Sequence, residues 1–166
     1  MSSPDSSAVT RLRDLQFEAA SAFLNARGLC LQLLPEGTDI PGSYWGAPEA
    51  GLIGNKLFAR LDTPVHSILH TVCHWICMDG ERRMNVHTDA GGDDIEEVAV
   101  CYLQCLMSDD LPGYSRESAF LDMDSWGYSF RLGSARAWFE NDAEDALEWL
   151  KARGLRLADS CRSAER

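Results

Sequence analysis

The stretch of residues 63–80 constrains the fold of this chain more than any other segment. It opens with Thr63-Pro64, a helix cap followed by a proline at the first helical position. It closes with Asp79-Gly80, a combination typical of a helix end. The residues between are largely apolar, and histidine recurs among them at every fourth position. The sequence therefore predicts a helix to about Met78 with histidines along one face.

All four histidines of the chain fall within 22 consecutive residues, and three of them, His66, His70 and His74, lie on this predicted helix. Side chains four residues apart share a helix face, so two neighbouring imidazoles can reach the same ion. Histidine is also the commonest metal ligand in proteins. We predict His70 and His74 as metal ligands. His66 is an alternative ligand, or a residue that supports the ligands or contacts a substrate.

A second helix is predicted over residues 93–107, after a polar loop. Glu97 shares a face of this helix with two cysteines, and that face is predicted to point inward. A carboxylate on an inward face needs a partner, because an unpaired buried charge is costly. Metal ligation supplies that partner, so Glu97 is the predicted third ligand. Asp94 is the substitute, since a helix-capping role explains it more simply.

Four cysteines form a competing cluster of two CxxxC pairs, one on each predicted helix: Cys73, Cys77, Cys101 and Cys105. Four thiolates can hold zinc or an iron–sulfur cluster. The spacing departs from the CxxC pattern of structural zinc sites, and small buried residues between two close helices explain it better. Because the N-terminus lacks a secretory signal pattern, we expect reduced thiols in a cytoplasmic protein.

Composition favours one globular domain without nucleic-acid or membrane contacts. The chain has 166 residues, 45% of them hydrophobic, and a net charge of -11 from 26 acids and 15 bases. Such a surface repels phosphate backbones, and there is no run of about 18 apolar residues to predict a membrane span. The partner, a substrate or another protein, is not identified by these features. We expect a disordered N-terminus over residues 1–7, a single metal-binding domain over 8–158 and a polar tail over 159–166.

The predicted elements give an α+β fold in which a small β-sheet packs against the metal-binding helix pair. The sheet is built from residues 29–34 and 51–60, the latter as one strand or a hairpin broken at Gly54-Asn55. The aromatic side chains of Trp126, Tyr128 and Phe130 are expected in the core rather than in a pocket wall. The remaining predictions are a helix over residues 8–26, a polar loop over 81–92, a loop-rich segment over 108–133, and one helix or a helix pair over 134–153.

The run His70-Thr71-Val72-Cys73-His74 resembles the HExxH motif of zincin-type metalloproteins, with Thr71 in place of the glutamate. With a strand before it and a helix containing Glu97 after it, the segment resembles the ImmA/IrrE-type metallopeptidases. The stretch from His70 to Arg83 also resembles the elongation factor P hydroxylase family of non-haem iron proteins. The resemblance covers residues 50–107 and implies a zincin-like fold. It also implies that an acid at the start of the second helix, here Glu97, is the third ligand.

The departure at Thr71 leaves three functions open, because threonine cannot act as the general base that the motif supplies in zinc peptidases. The first is a non-haem iron hydroxylase, in which two histidines and a carboxylate bind the metal. The second is a hydrolase whose base has moved to Glu96 or Asp94. The third is a non-catalytic metalloprotein or pseudoenzyme with a structural or partner-binding role. In each, the expected cofactor is one divalent metal ion, zinc or iron.

Overall fold

The computed structural model describes residues 8–88 and 92–155, and within them the chain has the predicted α+β architecture. Its seven α-helices are α1 (Phe17–Asn25), α2 (Val65–Cys77), α3 (Gly80–Asn85), α4 (Asp94–Met107), α5 (Arg116–Trp126), α6 (Ala135–Asn141) and α7 (Glu144–Ala152). Its three strands are β1 (Cys30–Leu34), β2 (Gly51–Ile53) and β3 (Lys56–Arg60).

The sheet has the order β1-β3-β2. β1 runs parallel to β3, and β2 pairs antiparallel with β3 as a hairpin. The hairpin turns at Gly54, whose φ of +59° lies in the left-handed region that favours glycine. The predicted break at Gly54-Asn55 is therefore confirmed. One face of the sheet packs against α2, which places the histidine helix directly on it.

Helix α2 is enclosed on nearly every side, which explains why so many of its residues are apolar. Leu69 and Val72 are fully buried, and so are polar Thr71 and His66. The helix lies between the sheet, α4 and α5. Its histidines are therefore part of the core rather than of an exposed polar face, and each buried imidazole needs hydrogen-bonding or metal partners.

Helix α4 lies beside α2 and is covered on another side by α7. The side chain of Asp93 caps its start by accepting a hydrogen bond from the Glu96 backbone nitrogen at 3.0 Å. The packing of α4 against α2 brings the first turn of α4 to the histidine face of α2. The prediction that a second helix lies against the histidine helix is confirmed.

In three segments, the structure differs from the predicted helix or loop. The predicted helix over 8–26 is a short 3-10 turn at Leu12–Asp14 followed by α1, and the predicted loop over 81–92 contains α3. The loop-rich prediction for 108–133 was wrong for α5, because its acidic residues obscure the apolar spacing of Ala119, Phe120 and Met123. The final segment is a helix pair, α6 and α7.

The predicted disordered N-terminus, residues 1–7, and the predicted tail, residues 159–166, lie outside the described residues. Within the described ranges, no helix has both the length and the apolar character that crossing a membrane would require.

Candidate metal centre

Three side chains from two helices converge at the junction of α2 and α4. The Nε2 atom of His70 lies 2.9 Å from one carboxylate oxygen of Glu97, and the Nε2 atom of His74 lies 3.1 Å from the other. One ligand atom from each residue can be chosen so that all three lie within 4.8 Å of one another. Ligand atoms around an ion with bonds of about 2 Å lie on the order of 3–4 Å apart, so small shifts would place an ion between them.

The helix spacing explains this convergence. His70 and His74 lie one turn apart on α2, and their ring centroids are 4.9 Å apart. Glu97 lies in the first turn of α4, where the helix crosses the histidine face. The side chain of His74 is 2% exposed and that of His70 16%, whereas that of Glu97 is 49% exposed. The three groups therefore form a site with a buried histidine side and an open carboxylate side.

Gln104 orients the first histidine. Its amide nitrogen donates a hydrogen bond to the His66 carbonyl at 2.9 Å, which leaves its Oε1 atom facing Nδ1 of His70 at 2.8 Å. Because Oε1 can only accept, Nδ1 of His70 must carry a proton. Nε2 is then the nitrogen available to a metal: it donates its proton to Glu97 when His70 is charged, and it offers a lone pair once that proton is lost. This is the arrangement that metal-ligating histidines adopt, with the second ring nitrogen held by a hydrogen-bond acceptor.

The charges of the three groups are mutually dependent. Burial acts to raise the pKa of Glu97, but hydrogen bonds from His70 and His74 outweigh it and hold that pKa well below its usual range. Burial acts to lower the pKa of His70, whereas Tyr128, Cys101 and Glu97 raise it well above its usual range. Metal binding must displace the Nε2 proton of a charged His70, so we expect the site to release protons as it fills.

His74 differs from His70 in its second ring nitrogen. Its Nδ1 atom is buried and has no hydrogen-bond partner within the described part of the chain. Its Nε2 atom is the one that contacts Glu97. The polar contact of this ring is therefore the one between Nε2 and Glu97, at the point where the three side chains meet.

The site opens into a pocket of about 610 Å³. The residues that line it are two histidines of α2, four acids, four aromatic residues and two glycines: His70, His74, Glu49, Asp93, Asp94, Glu97, Tyr44, Trp45, Trp126, Tyr128, Gly92 and Gly127. Trp45 is 75% exposed and stands edge-on to Tyr44, with ring centroids 5.1 Å apart. A centre with an open side, a pocket and exposed aromatics has room for a ligand that contacts the ion.

The aromatic segment after α5 forms one wall of this pocket. The indole nitrogen of Trp126 donates to Glu49 at 3.0 Å, which links the two sides of the pocket. The Tyr128 hydroxyl lies 3.2 Å from Nδ1 of His66, and its ring stands edge-on to His70 with centroids 5.9 Å apart. Phe130 instead stacks on Trp138 at 4.8 Å. Of the three aromatics expected in the core, Trp126 and Tyr128 contribute to the pocket.

The other predicted site residues lie close by but outside the cluster of three. His66 is fully buried, and the hydroxyl of Tyr128 contacts its Nδ1 atom. Asp94 is an exposed residue of the pocket lining. The carboxylate of Glu96 is paired with both terminal nitrogens of Arg82, each at 2.9 Å, and does not line the pocket. The structure thus brings together His70, His74 and Glu97.

Three of the four cysteines, Cys73, Cys101 and Cys105, are buried, and Cys77 is half-buried. The thiol of Cys73 contacts the sulfur of Met107 at 3.8 Å, and that of Cys105 contacts the sulfur of Met123 at 3.9 Å. Burial raises the pKa of Cys77 to about 12, which disfavours the thiolate that metal binding requires. Across residues 8–88 and 92–155, the histidine–glutamate group is the one cluster with metal-binding geometry.

Sequence reasoning did not find Gln104, Glu49 or Trp45. A signal for Gln104 was present, since it is a polar residue on a strongly apolar helix, seven positions after Glu97. Two helical turns separate such positions, so the two side chains share a face. Glu49 and Trp45 lie in an irregular segment, and nothing local in the sequence predicts where such a segment packs.

Comparison of the chain with protein families, with curated proteins and with solved structures finds no match. The geometry of His70, His74 and Glu97 is therefore the evidence on which an argument about function must be built.

Proposed function

We propose that this chain is a metal-dependent enzyme that holds one divalent ion through His70, His74 and Glu97. The observation that carries the proposal is that the three ligand groups meet within 4.8 Å at the wall of an open pocket. Three protein ligands leave coordination positions for water and substrate, whereas structural zinc sites are closed by a fourth protein ligand. Among the described residues, no fourth histidine, cysteine, aspartate or glutamate joins the cluster.

Oxidation by dioxygen at an iron(II) ion is the chemistry that the contacts favour. Two histidines and one carboxylate form the ligand set with which iron(II) supports oxidation by dioxygen. A hydrolase needs a carboxylate base beside the ion, and two of the nearby acids have other contacts: Glu96 is paired with Arg82, and Glu49 accepts from Trp126. At the position of the motif glutamate, Thr71 donates to the Ser67 carbonyl at 3.0 Å. This set of contacts supports the resemblance to non-haem iron hydroxylases over that to peptidases.

A hydrolase is the second candidate, and Asp94 is the observation in its favour. Asp94 is exposed and lines the same pocket as the three proposed ligands. With zinc in the site, its carboxylate would be our candidate for the base that accepts a proton from a bound water. Asp94→Asn would then abolish zinc-dependent hydrolysis while leaving metal binding intact.

The pocket lining favours a cationic or neutral substrate over an anionic one. Besides Glu97, three acids line it, and among the described lining residues there is no lysine or arginine. Aromatic faces such as those of Trp45 and Tyr44 attract ammonium and guanidinium groups. A negative pocket on a chain of net charge -11 would repel carboxylates and phosphates.

The first experiment measures metal content. Protein purified without added metal, and protein reconstituted anaerobically with iron(II) or zinc, is analysed for bound metal per chain. We expect about one ion per chain in the wild type, and loss of that ion in a His70→Ala/His74→Ala double variant. His87→Ala is the matched control, because His87 is an exposed histidine outside the cluster. Equal metal content in the wild type and the double variant would overturn the proposal.

The identity of the ion and its effect on folding separate the candidates. Iron that is retained and oxidised by dioxygen supports the hydroxylase. Oxygen consumption by the iron-loaded protein should then rise when an amine substrate is added. Zinc at full occupancy, with no iron, supports the hydrolase. Metal whose removal unfolds the chain, with no open position for an added ligand such as azide, supports a structural role.

A further inference from the structure

The short helix α3 contains two consecutive arginines whose side chains contact different helices. Arg82 pairs with Glu96 through two hydrogen bonds of 2.9 Å, one to each carboxylate oxygen. Glu96 is 5% exposed and immediately precedes the proposed ligand Glu97 in the first turn of α4. A two-point arginine–carboxylate pair restricts orientation as well as distance. Arg82 therefore holds the turn that carries Glu97.

Arg83 contacts the end of the histidine helix. Its Nε atom donates to the Trp75 carbonyl at 2.9 Å, and its Nη2 atom donates to the Ile76 carbonyl at 3.4 Å. Its guanidinium also lies over the Trp75 ring, 4.7 Å from the centroid. Trp75 follows His74 directly. Arg83 therefore satisfies carbonyls at the C-terminal end of α2, where a cation is also favoured by the helix dipole.

Two further features hold this arrangement. The side chain of Asp79 caps α3 by accepting from the Arg82 backbone nitrogen at 2.8 Å, which fixes the start of the helix. Gly92, with φ +84°, leaves space for the carboxylate of Glu96. A Cβ atom at position 92 would lie 2.4 Å from that carboxylate and would displace it. The Asp79 cap and the space at Gly92 therefore hold the surrounding backbone in the position that the arginine contacts need.

We propose that Arg82 and Arg83 are positioning residues for the metal centre, and that α3 sets the spacing between the two histidines and Glu97. Through Arg83 the helix is attached to the end of α2, and through Arg82 to the start of α4. Packing of α2 against α4 fixes the middle of the pair, where Gln104 meets His70. At the end where Glu97 lies, the contacts of Arg82 and Arg83 join the start of α4 to the end of α2 through α3. The proposal rests on the proposed function.

This role accounts for both cations of α3 without a ligand in the pocket. The guanidinium groups of Arg82 and Arg83 donate to a buried carboxylate and to backbone carbonyls. Neither arginine lines the pocket next to the metal cluster. Both groups act on the ligands through the helices that carry them, and not by contact with a ligand in the pocket.

The test compares Arg82→Lys and Glu96→Gln with a matched control. Lysine keeps the charge of Arg82 but cannot form the two-point contact. Arg60→Lys is the control, because Arg60 makes an equivalent two-point pair with Asp62, at 2.8 and 2.7 Å, at the end of β3. Each protein is titrated with Co²⁺ against a competing chelator, and the visible spectrum of the bound ion is recorded. The free energy of unfolding of the metal-free protein is measured alongside.

We expect Arg82→Lys and Glu96→Gln to weaken Co²⁺ binding by about 10-fold, with a changed Co²⁺ spectrum, since residues that orient ligands have effects of this size. Arg60→Lys should keep the wild-type affinity and spectrum. Wild-type affinity and an unchanged spectrum in Arg82→Lys, with reduced stability, would overturn the proposal and leave the pair a stabilising contact only.

A second measurement separates this proposal from the proposed function. If the wild type binds no Co²⁺, the proposed function fails, whereas hydrogen exchange in the metal-free chain still tests the positioning role. The Glu97 amide donates to the Asp93 carbonyl at 3.0 Å in the first turn of α4. Its exchange should be faster in Arg82→Lys than in the wild type, and unchanged in Arg60→Lys. Equal exchange in all three proteins would show that α3 does not hold this turn.

Discussion

Gln104 and His70 face each other across the junction of the two ligand helices, with Oε1 of the glutamine 2.8 Å from Nδ1 of the imidazole. The amide nitrogen of Gln104 is occupied by the His66 carbonyl, so the glutamine cannot rotate to offer a donor without losing that bond. The imidazole is therefore held in one orientation by a group whose own orientation is fixed. Both contacts lie within the core, because Gln104 is fully buried.

Replacing Gln104 by leucine should weaken metal binding. Leucine retains the approximate size of the side chain but removes the acceptor that fixes the tautomer of His70. We expect a loss of about 10-fold or more in affinity for Zn²⁺, measured by competition with a chromophoric chelator. Gln16→Leu is the control, since Gln16 is exposed and precedes α1. An unchanged affinity in Gln104→Leu would show that packing alone orients the ring.

His66 should make the folded state less stable in acid. Burial lowers the pKa of His66 to about 3, and the positive charges of His70 and Arg11 add to this effect. In the unfolded chain the same imidazole binds a proton below about pH 6.5, so the unfolded state binds more protons between these values. Its contribution to stability should therefore fall by ~1.4 kcal/mol for each pH unit from pH 6.5 toward pH 3.

The comparison for this prediction is between the wild type and His66→Gln. The raised pKa of His70 acts at higher pH: its contribution to stability is fully present below pH 6.5 and is lost as the pH rises, so the difference between the two proteins isolates His66. Urea unfolding at a series of pH values should show the variant gaining stability relative to the wild type as the pH falls. His87→Gln, at an exposed histidine, should show no such trend. Parallel curves for the wild type and His66→Gln would contradict the prediction.

Restoring the glutamate of the HExxH pattern should damage this protein. Thr71 is fully buried, donates to the Ser67 carbonyl and does not line the pocket. Thr71→Glu would bury a carboxylate without a partner, and we expect a loss of about 3 kcal/mol or more in the free energy of unfolding. Thr71→Val, which removes only the hydrogen bond, should cost about 1 kcal/mol. A stable Thr71→Glu protein with zinc-dependent peptidase activity would show that position 71 reaches the ion.

The buried cysteines should be dispensable for metal binding. Cys73 and Cys105 contact methionine sulfurs in the core and lie outside the ligand cluster. A Cys73→Ala/Cys105→Ala variant should bind the same amount of metal per chain as the wild type. Its free energy of unfolding should fall by about 1–3 kcal/mol, because two small cavities are left. Loss of bound metal from a folded double variant would support the thiolate site instead.

The cluster of His70, His74 and Glu97 could be predicted from the sequence because its spacing is local. His70 and His74 share a face by helix geometry alone, and the acids that open α4 identify a helix start. The sheet was predictable for the same reason, since apolar runs and the Gly54 turn are short-range signals. The prediction that Glu97 lies on an inward face was wrong, because its side chain is 49% exposed at the edge of the histidine face and Glu96 is the buried carboxylate. What was needed beyond these patterns was one assumption, that α2 and α4 pack together.

The surroundings of the ligands could not be predicted, because they depend on contacts distant in sequence. Glu49 meets Trp126 across 77 positions, and Gln104 meets His70 across 34. Helix α5 was missed although Ser115 caps it, because its charged residues weaken the apolar pattern on which helix prediction depends. The two-point pair of Arg82 with Glu96 likewise follows from the placement of α3 and from no local motif.

Because α2 is buried, the binding of an ion would depend on the packing of the core. His74 is 2% exposed and lies on a helix whose Leu69 and Val72 are fully buried, so the imidazole reaches its final position only when the core has closed. A bound ion would then act as an indicator of complete folding. A substitution that loosens the packing of α2, even at a position that never approaches the ion, would be detected first as a faster rate of metal release.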